Sequence, residues 1–230
     1  MKKSGTIQVL VTGTDTDVGK TVFTASFLAW LRAQEIPSIG FKPLASGGRE
    51  DAERLFAAQG GTVPMDVINP WHFPEPLAPL LAARRAGRKV TLEALVGHVQ
   101  MASRGLRVSV VESAGGLLSP LLGAADAPEL IVGLNACPVV VAVDRLGVVG
   151  QVRLVWASLP ERSRRRAQVV LMSAARPDGS TETNLGLLGE YIGEDRIHRF
   201  PWLTRRDLRV GGGGKVEAVC AAVARGVGAS

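Results

Sequence analysis

The stretch Val11-Thr12-Gly13-Thr14-Asp15-Thr16-Asp17-Val18-Gly19-Lys20-Thr21 constrains this chain more than any other, because it joins an apolar run to an apolar-striped helix. Ile7 to Thr12 is a short β-rich run bounded by Gly5 and Gly13, the pattern of a strand buried on both faces. From Lys20 to Gln34 the residues Phe23, Phe27, Leu28 and Leu31 recur at helical spacing until Pro37 stops them. Between strand and helix, glycines let backbone N–H groups close on an anion and the helix N-terminus adds positive potential. Lys20 can then reach terminal phosphates and Thr21 can hold Mg²⁺. The usual loop has four residues before its Gly-Lys-Ser/Thr end; here five separate Gly13 from Gly19, so the match is a variant.

The same alternation continues along the chain. Further strands are predicted at Ser38–Lys42, Arg107–Glu112, Pro138–Val143, Gln168–Ser173 and Arg196–Phe200. Helices are predicted at Glu50–Gln59, Leu77–Ala86, Thr91–Arg104, Glu129–Asn135, Val148–Leu159, Leu185–Ile192 and Lys215–Arg225. Pro64 to Pro79 holds five prolines and reads as an irregular surface excursion that turns at Asn69-Pro70-Trp71, of the kind that serves binding. Gly211 to Gly214 reads as a flexible joint. Repeated βα units imply an α/β fold with a mostly parallel central sheet, helices on both faces and right-handed crossovers. With 230 residues and 46% apolar side chains, the chain is expected to form one domain over 1–230.

Two strand ends carry chemistry. Lys42 closes the second strand and is followed by the small-residue loop Pro43-Leu44-Ala45-Ser46-Gly47-Gly48, at the sheet edge where ligands of parallel sheets gather. Glu112 closes another, before Ser113-Ala114-Gly115-Gly116, and has the placement of an acid facing Mg²⁺. Cys137 and Cys220 lie in apolar runs and read as buried thiols, and His72, His98 and His198 are scattered. Any metal must therefore ride on carboxylates and phosphate. No run approaches the ~18 apolar residues of a membrane span and the first residues lack a signal-like core, so a cytoplasmic protein without a membrane partner is expected. The net charge of +6 gathers at Arg84, Arg85, Arg88 and Lys89, at Arg162 to Arg166, and at Arg205, Arg206 and Arg209. These clusters lack interleaved aromatics, which argues for a solvated face or a field drawing in anionic small molecules, and against nucleic acid.

Taken in order, the loop from Gly13 to Thr21, Lys42-Pro43-Leu44-Ala45-Ser46-Gly47, Asn69-Pro70, Glu75-Pro76, Pro79, Val111-Glu112-Ser113-Ala114-Gly115-Gly116 and Pro201-Trp202-Leu203 resemble dethiobiotin synthetase. That family has the same extra residue in its loop. The resemblance implies a P-loop NTPase-like three-layer fold, usually a homodimer, that closes the ureido ring of dethiobiotin from 7,8-diaminononanoate, CO₂ and ATP with Mg²⁺. By position it implies that Asp17, Val18, Gly19, Lys20, Thr21 and Val22 bind nucleotide, with Thr16 and Asp17 beside the reacting phosphoryl group. It places Thr21, Asp51 and Glu112 on Mg²⁺ and gives Lys42 and Ser46 the substrate carbamate, so that Lys42, Lys20 and Thr16 form the catalytic set.

The chain departs from the family at four points. Ser113 replaces a common glycine, Leu80 a frequent histidine, and Gly150-Gln151 stands where the family tends to carry asparagine and histidine. Ser173 occupies the place of an adenine-reading asparagine, so ATP is expected as substrate with other nucleoside triphosphates tolerated. A rival reading is a regulatory switch resembling the partitioning ATPases. Its usual loop carries another lysine soon after the first glycine, where this chain has Thr14, Asp15 and Thr16. A nucleotide-binding module of an amidotransferase is the third, but neither cysteine sits in a glutaminase nucleophile motif.

Overall fold

The computed structural model describes residues 5–123, 125–204 and 213–229. In chain order the strands are β1 (Ile7–Gly13), β2 (Ser38–Phe41), β3 (Leu44–Ser46), β4 (Trp71–Phe73), β5 (Val108–Glu112), β6 (Cys137–Val143), β7 (Gln168–Met172) and β8 (Ile197–Phe200). The helices are α1 (Lys20–Ala33), α2 (Glu50–Ala58), α3 (Met65–Ile68), α4 (Pro79–Arg85), α5 (Leu92–Ala102), α6 (Ala127–Leu134), α7 (Val148–Ser158), α8 (Glu161–Arg164), α9 (Thr181–Ile192) and α10 (Gly213–Val227).

Six strands form one parallel sheet in the order β2-β5-β1-β6-β7-β8. Side chains alternate across it with period two. Val9, Val11, Val110, Val139, Val141, Val170 and Phe200 face α1, α2 and α10, whereas Leu10, Phe41, Val111, Val140 and Leu171 face the layer of α4 to α7 and α9. The expected three-layer α/β architecture is therefore present. Phe23 and Phe27 of α1 stack at 5.7 Å, and Phe23 meets Phe200 edge-on at 6.0 Å. Each such fully buried side chain contributes roughly 1.5–3 kcal/mol. Because every strand of this sheet points the same way, Gly13, Glu112, Asp144 and Ser173 emerge along one edge. The chain leaves β1 toward β2 on one side and later crosses back past β1 to β6 on the other, so the crevice above β1 is where a ligand belongs.

Several elements differ from the sequence reading. The excursion from Pro64 to Pro79 is partly regular: it contains α3 and β4, and β4 pairs in parallel with β3 through Leu44↔Trp71 and Ser46↔Phe73. Three β-forming residues between prolines are too short to show a period, yet Phe73 is buried at 2%. The second strand stops at Phe41, and the Lys42 amide donates to the Ile68 carbonyl instead of to the ladder. α6 starts at Ala127 rather than Glu129, because Glu129 is the third residue of a capping box and accepts from the Asp126 amide at 2.8 Å. α9 begins a turn before Leu185, and α8 was not expected. Arg205, Arg206, Arg209, Gly211 and Gly212 lie outside the described residues. Among the described residues no helix is long and apolar enough to cross a membrane.

Candidate functional site

The loop between β1 and α1 turns sharply at two left-handed residues, Asp17 at φ 56° and Gly19 at φ 95°. Glycine is required at the second on two counts: the conformation disfavours other residues, and a Cβ there would lie 3.0 Å from Cε of Met172. Lys20 opens α1, and its Nζ donates to the Asp15 carbonyl at 2.7 Å, across the mouth of the loop. Burial and the neighbouring charge of Lys42 lower the Lys20 pKa, against the opposing pull of Glu112, Asp51 and Asp17. An ammonium so placed gains from an anion that enters the loop.

The register of β1 on β5 sets Val11 beside Glu112, so the strand-end acid stands at the base of the loop. Glu112 Oε1 accepts from Thr21 Oγ1 at 2.7 Å and from Lys42 Nζ at 2.7 Å. Lys42 Nζ also meets Asp51 Oδ2 at 3.0 Å and donates to the Ser113 carbonyl at 3.3 Å. Burial works against the charge on Lys42, but Glu112 and Asp51 together outweigh it and raise its pKa. For Asp51, desolvation is outweighed chiefly by Lys42, and its pKa falls.

Glu112 Oε2 is buried and has no hydrogen-bond partner. An acceptor left bare in the interior is costly unless a cation or donor meets it. With Thr21 Oγ1 and the Asp51 carboxylate it offers hard oxygen donors, two of them carboxylates. That set is too small to cage a metal alone, and it suits Mg²⁺, which keeps waters and takes further oxygens from a nucleotide's phosphates.

Lys20, Thr21, Lys42 and Asp51 open into a cleft of about 660 Å³, whereas Glu112 is buried behind them and does not line it. Thr16, Asp17, Gly19, Lys20, Thr21 and Val22 line one side, and Lys42, Ser46 and Asp51 another. Pro76 to Pro79 and Ser119-Pro120 complete the walls, and Ser46 Oγ donates to the Leu77 carbonyl at 2.5 Å. Val18 points into the core beneath the loop and is 6% exposed. Ser173 does not line this cleft. It borders a separate cavity of about 160 Å³ with Asp144, Thr181, Glu182 and Arg199, and Met172 beside it packs against Gly19. Asp144 there is buried, paired with Arg199 at 3.0 Å and hydrogen-bonded to Asn184 at 2.8 Å. Asp144 follows the end of β6, but its partners lie too far along the chain for any local pattern to link them.

The family model described as an AAA domain matches residues 7–207. The ATP-dependent dethiobiotin synthetase BioD of Anaeromyxobacter sp. (strain Fw109-5) is 38% identical over 197 residues, covering 84% of this chain and 88% of that protein. The chain belongs to the dethiobiotin synthetase family. The BioD of Ralstonia nicotianae (strain ATCC BAA-1114 / GMI1000) is 33% identical, over 87% of this chain and 91% of its own. Among solved structures, the hydrogenase maturation factor HypB from Archaeoglobus fulgidus superposes with a TM-score of 0.59 at 13% identity, covering 98% of this chain and 92% of that one. That likeness concerns the fold alone. Residues of the loop after β1, Lys42 and Ser46 near β2 and β3, Asp51 of α2 and Ala114-Gly115 after β5 thus line one crevice, although they are spread over some hundred residues of chain.

Proposed function

We infer that this protein is an ATP-dependent ligase of biotin biosynthesis that closes the ureido ring of dethiobiotin from 7,8-diaminononanoate and CO₂. The observation that carries the reading is the pair of ammonium groups, Lys20 and Lys42, set into one cleft with Thr21 and Asp51.

One amine of the diamine adds to CO₂ and loses a proton, giving a carbamate. A carbamate oxygen then attacks the γ-phosphorus of ATP in line, and ADP leaves. Both reactants are anions, so their repulsion must be cancelled before the phosphoryl group can move. Lys20 neutralises the β- and γ-phosphates, and Lys42 receives the carbamate together with the Ser46 hydroxyl, which turns to it from the Leu77 carbonyl. Compact, strongly hydrated charges suit both tasks. Thr16 and Asp17 border the phosphoryl group in transfer. The second amine then attacks the carbonyl carbon of the mixed anhydride, phosphate leaves, and the ring closes. Holding that amine beside the carbonyl makes the last step effectively unimolecular. Mg²⁺, held by Thr21, Asp51 and Glu112, would offset charge on the triphosphate.

The reading takes the whole chain as one unit and extends to a cytoplasmic homodimer that binds neither nucleic acid nor membrane. The exposed apolar side chains Leu146, Leu154 and Tyr191, on and around α7 and α9, support a self-association face. The test is phosphate release from ATP with Mg²⁺ and bicarbonate, with and without the diamine. Release that depends on the diamine, together with a ring-closed product by mass spectrometry, is expected. Equal hydrolysis without diamine would favour the switch reading instead.

A further inference from the structure

Asn69 sits in the turn between α3 and β4, yet it is 1% exposed. Its Nδ2 donates to the carbonyl oxygen of Lys42 at 2.6 Å. Its Oδ1 accepts from Nε of Arg49 at 3.1 Å, and its own carbonyl accepts from Nη2 of Arg49 at 3.0 Å. The Lys42 amide donates to the Ile68 carbonyl at 2.9 Å. Both backbone polar groups of Lys42 are therefore taken up by two consecutive residues of the excursion.

The need for this arises in the sequence. β2 ends its ladder at Phe41↔Val111, and Pro43 has no N–H and holds the preceding residue extended. The Lys42 carbonyl has left the sheet, is buried, and must find a donor elsewhere. Asn69 supplies it. At the other end of the contact, Arg49 immediately precedes α2, whose first turn carries Asp51, and Asp51 returns to the Lys42 ammonium at 3.0 Å. A closed circuit results: Lys42 backbone, Asn69, Arg49, the start of α2, Asp51 and the Lys42 side chain. Asp51 is 46% exposed, so its ion pair alone holds the lysine weakly. The one carboxylate paired with Arg49 among the described residues, Asp66, is 94% exposed and 3.8 Å away. The directed contacts of the guanidinium go to Asn69.

We propose that Asn69 and Arg49 are positioning residues for Lys42, fixing its backbone to the start of α2 and so setting where its ammonium stands in the cleft. Neither lines the cleft, so neither touches substrate. The inference rests on the reading of Lys42 as the group that meets the carbamate. A mere loop staple would have a different consequence: its loss would lower stability and leave the folded enzyme's turnover alone.

A double-mutant cycle in the full-length protein separates the two. kcat, KM for the diamine, nucleotide affinity by calorimetry and the urea midpoint are measured for wild type, Asn69→Ala, Arg49→Gln, Lys42→Gln, and each of the first two combined with Lys42→Gln. We expect Asn69→Ala and Arg49→Gln to lower kcat by about tenfold, as misplacement of a charged group does, with nucleotide affinity unchanged. In the Lys42→Gln background they should cost nothing further in kcat, because their effect passes through the missing ammonium. Equal losses of kcat in both backgrounds, or lower stability with kcat intact, would overturn the proposal. Arg49 is partly exposed, so Arg49→Gln carries the same test if Asn69→Ala does not fold. Wild-type protein without diamine-dependent turnover would sink the ligase reading and this inference with it, and would be seen before any variant is made.

Discussion

Lys42 and Glu112 meet at 2.7 Å with side chains 6% and 0% exposed, so two opposite charges are held together almost wholly out of water. Desolvation of such a pair is offset only while both partners remain. Asp51, half exposed, contributes less to holding the lysine than Glu112 does. Replacing Lys42 with Gln would leave Glu112 buried with the Thr21 hydroxyl as its remaining donor among the described residues, a loss of about 3 kcal/mol for removing one member of a buried pair. The double variant Lys42→Gln/Glu112→Gln should be more stable than Lys42→Gln alone, because no charge is then stranded. Urea unfolding of the two singles and the double measures this. A double variant weakened by the sum of the singles would show that the two charges do not depend on each other.

Packing of α1 on the sheet rests on a missing side chain. A Cβ at Gly40 would stand 2.3 Å from Cδ1 of Leu28, which is 1% exposed and packed in the core. The backbone of Gly40 is also clamped, its amide donating to Gln59 Oε1 at 2.8 Å and its carbonyl accepting from Gln59 Nε2 at 3.2 Å. Overpacking of this kind costs about 1–3 kcal/mol, and Gly40→Ala should lose that much in thermal or urea unfolding. In the Gly40→Ala background, Leu28→Ala should cost less than it does alone. A fully stable Gly40→Ala protein would mean that α1 can shift off the sheet at little cost.

What the sequence made legible, and what it did not, follows from the range of the interactions. Gly19, Lys20 and Thr21 are adjacent, and Lys42 and Glu112 each end an apolar run ahead of small residues, so local pattern suffices to place them at one sheet edge. β4 was not legible, since Trp71-His72-Phe73 owes its conformation to pairing with Leu44 to Ser46 rather than to any period of its own. Asn69 was read only as a turn residue because its partners, the Lys42 carbonyl and Arg49, lie 27 and 20 residues away. The same holds for Arg199, which reaches Asp144 across 55 residues of chain. Side chains that satisfy backbone groups across the fold leave no spacing to read.

His198 gives the protein a dependence on pH away from the cleft. Burial and the charge of Arg225 lower its pKa, Asp195 opposing them, and its Nε2 is 2.8 Å from Oε1 of Gln168. The folded state thus holds off a proton that the unfolded chain binds near its ordinary value of about 6.5. Stability from this residue is complete above that value and falls as pH drops through it, levelling only below the depressed folded pKa. His198→Gln lacks the titration, so the stability of wild type relative to the variant should decline between about pH 7 and pH 5. A difference that stays constant over that span would mean that His198 protonates as freely in the folded protein as in the unfolded chain.

We expect Ser173, although it lies outside the phosphate cleft, to bear on the choice of nucleotide. It follows β7, its amide donates to the Phe200 carbonyl at 2.9 Å, and it borders the small cavity beside Asp144 and Arg199, next to the residue that packs on Gly19. An asparagine amide, which the resemblance to the family would put there, can donate one hydrogen bond and accept another along the adenine edge. A serine hydroxyl is too short to span that edge in two places. Sites that hydrogen-bond a substrate group reject analogues lacking it strongly, and sites without such a group reject them weakly. The contacts of Lys20 and Thr21 with phosphate and metal would be common to every nucleoside triphosphate and would then dominate affinity. We expect kcat/KM for ATP, CTP and GTP to agree within about tenfold, or ~1.4 kcal/mol, at saturating diamine, bicarbonate and Mg²⁺. Ser173→Asn should restore a donor and an acceptor and raise the preference for ATP. A wild-type preference for ATP above about a hundredfold, or ~2.7 kcal/mol, would show that a different group reads adenine and that the serine is immaterial.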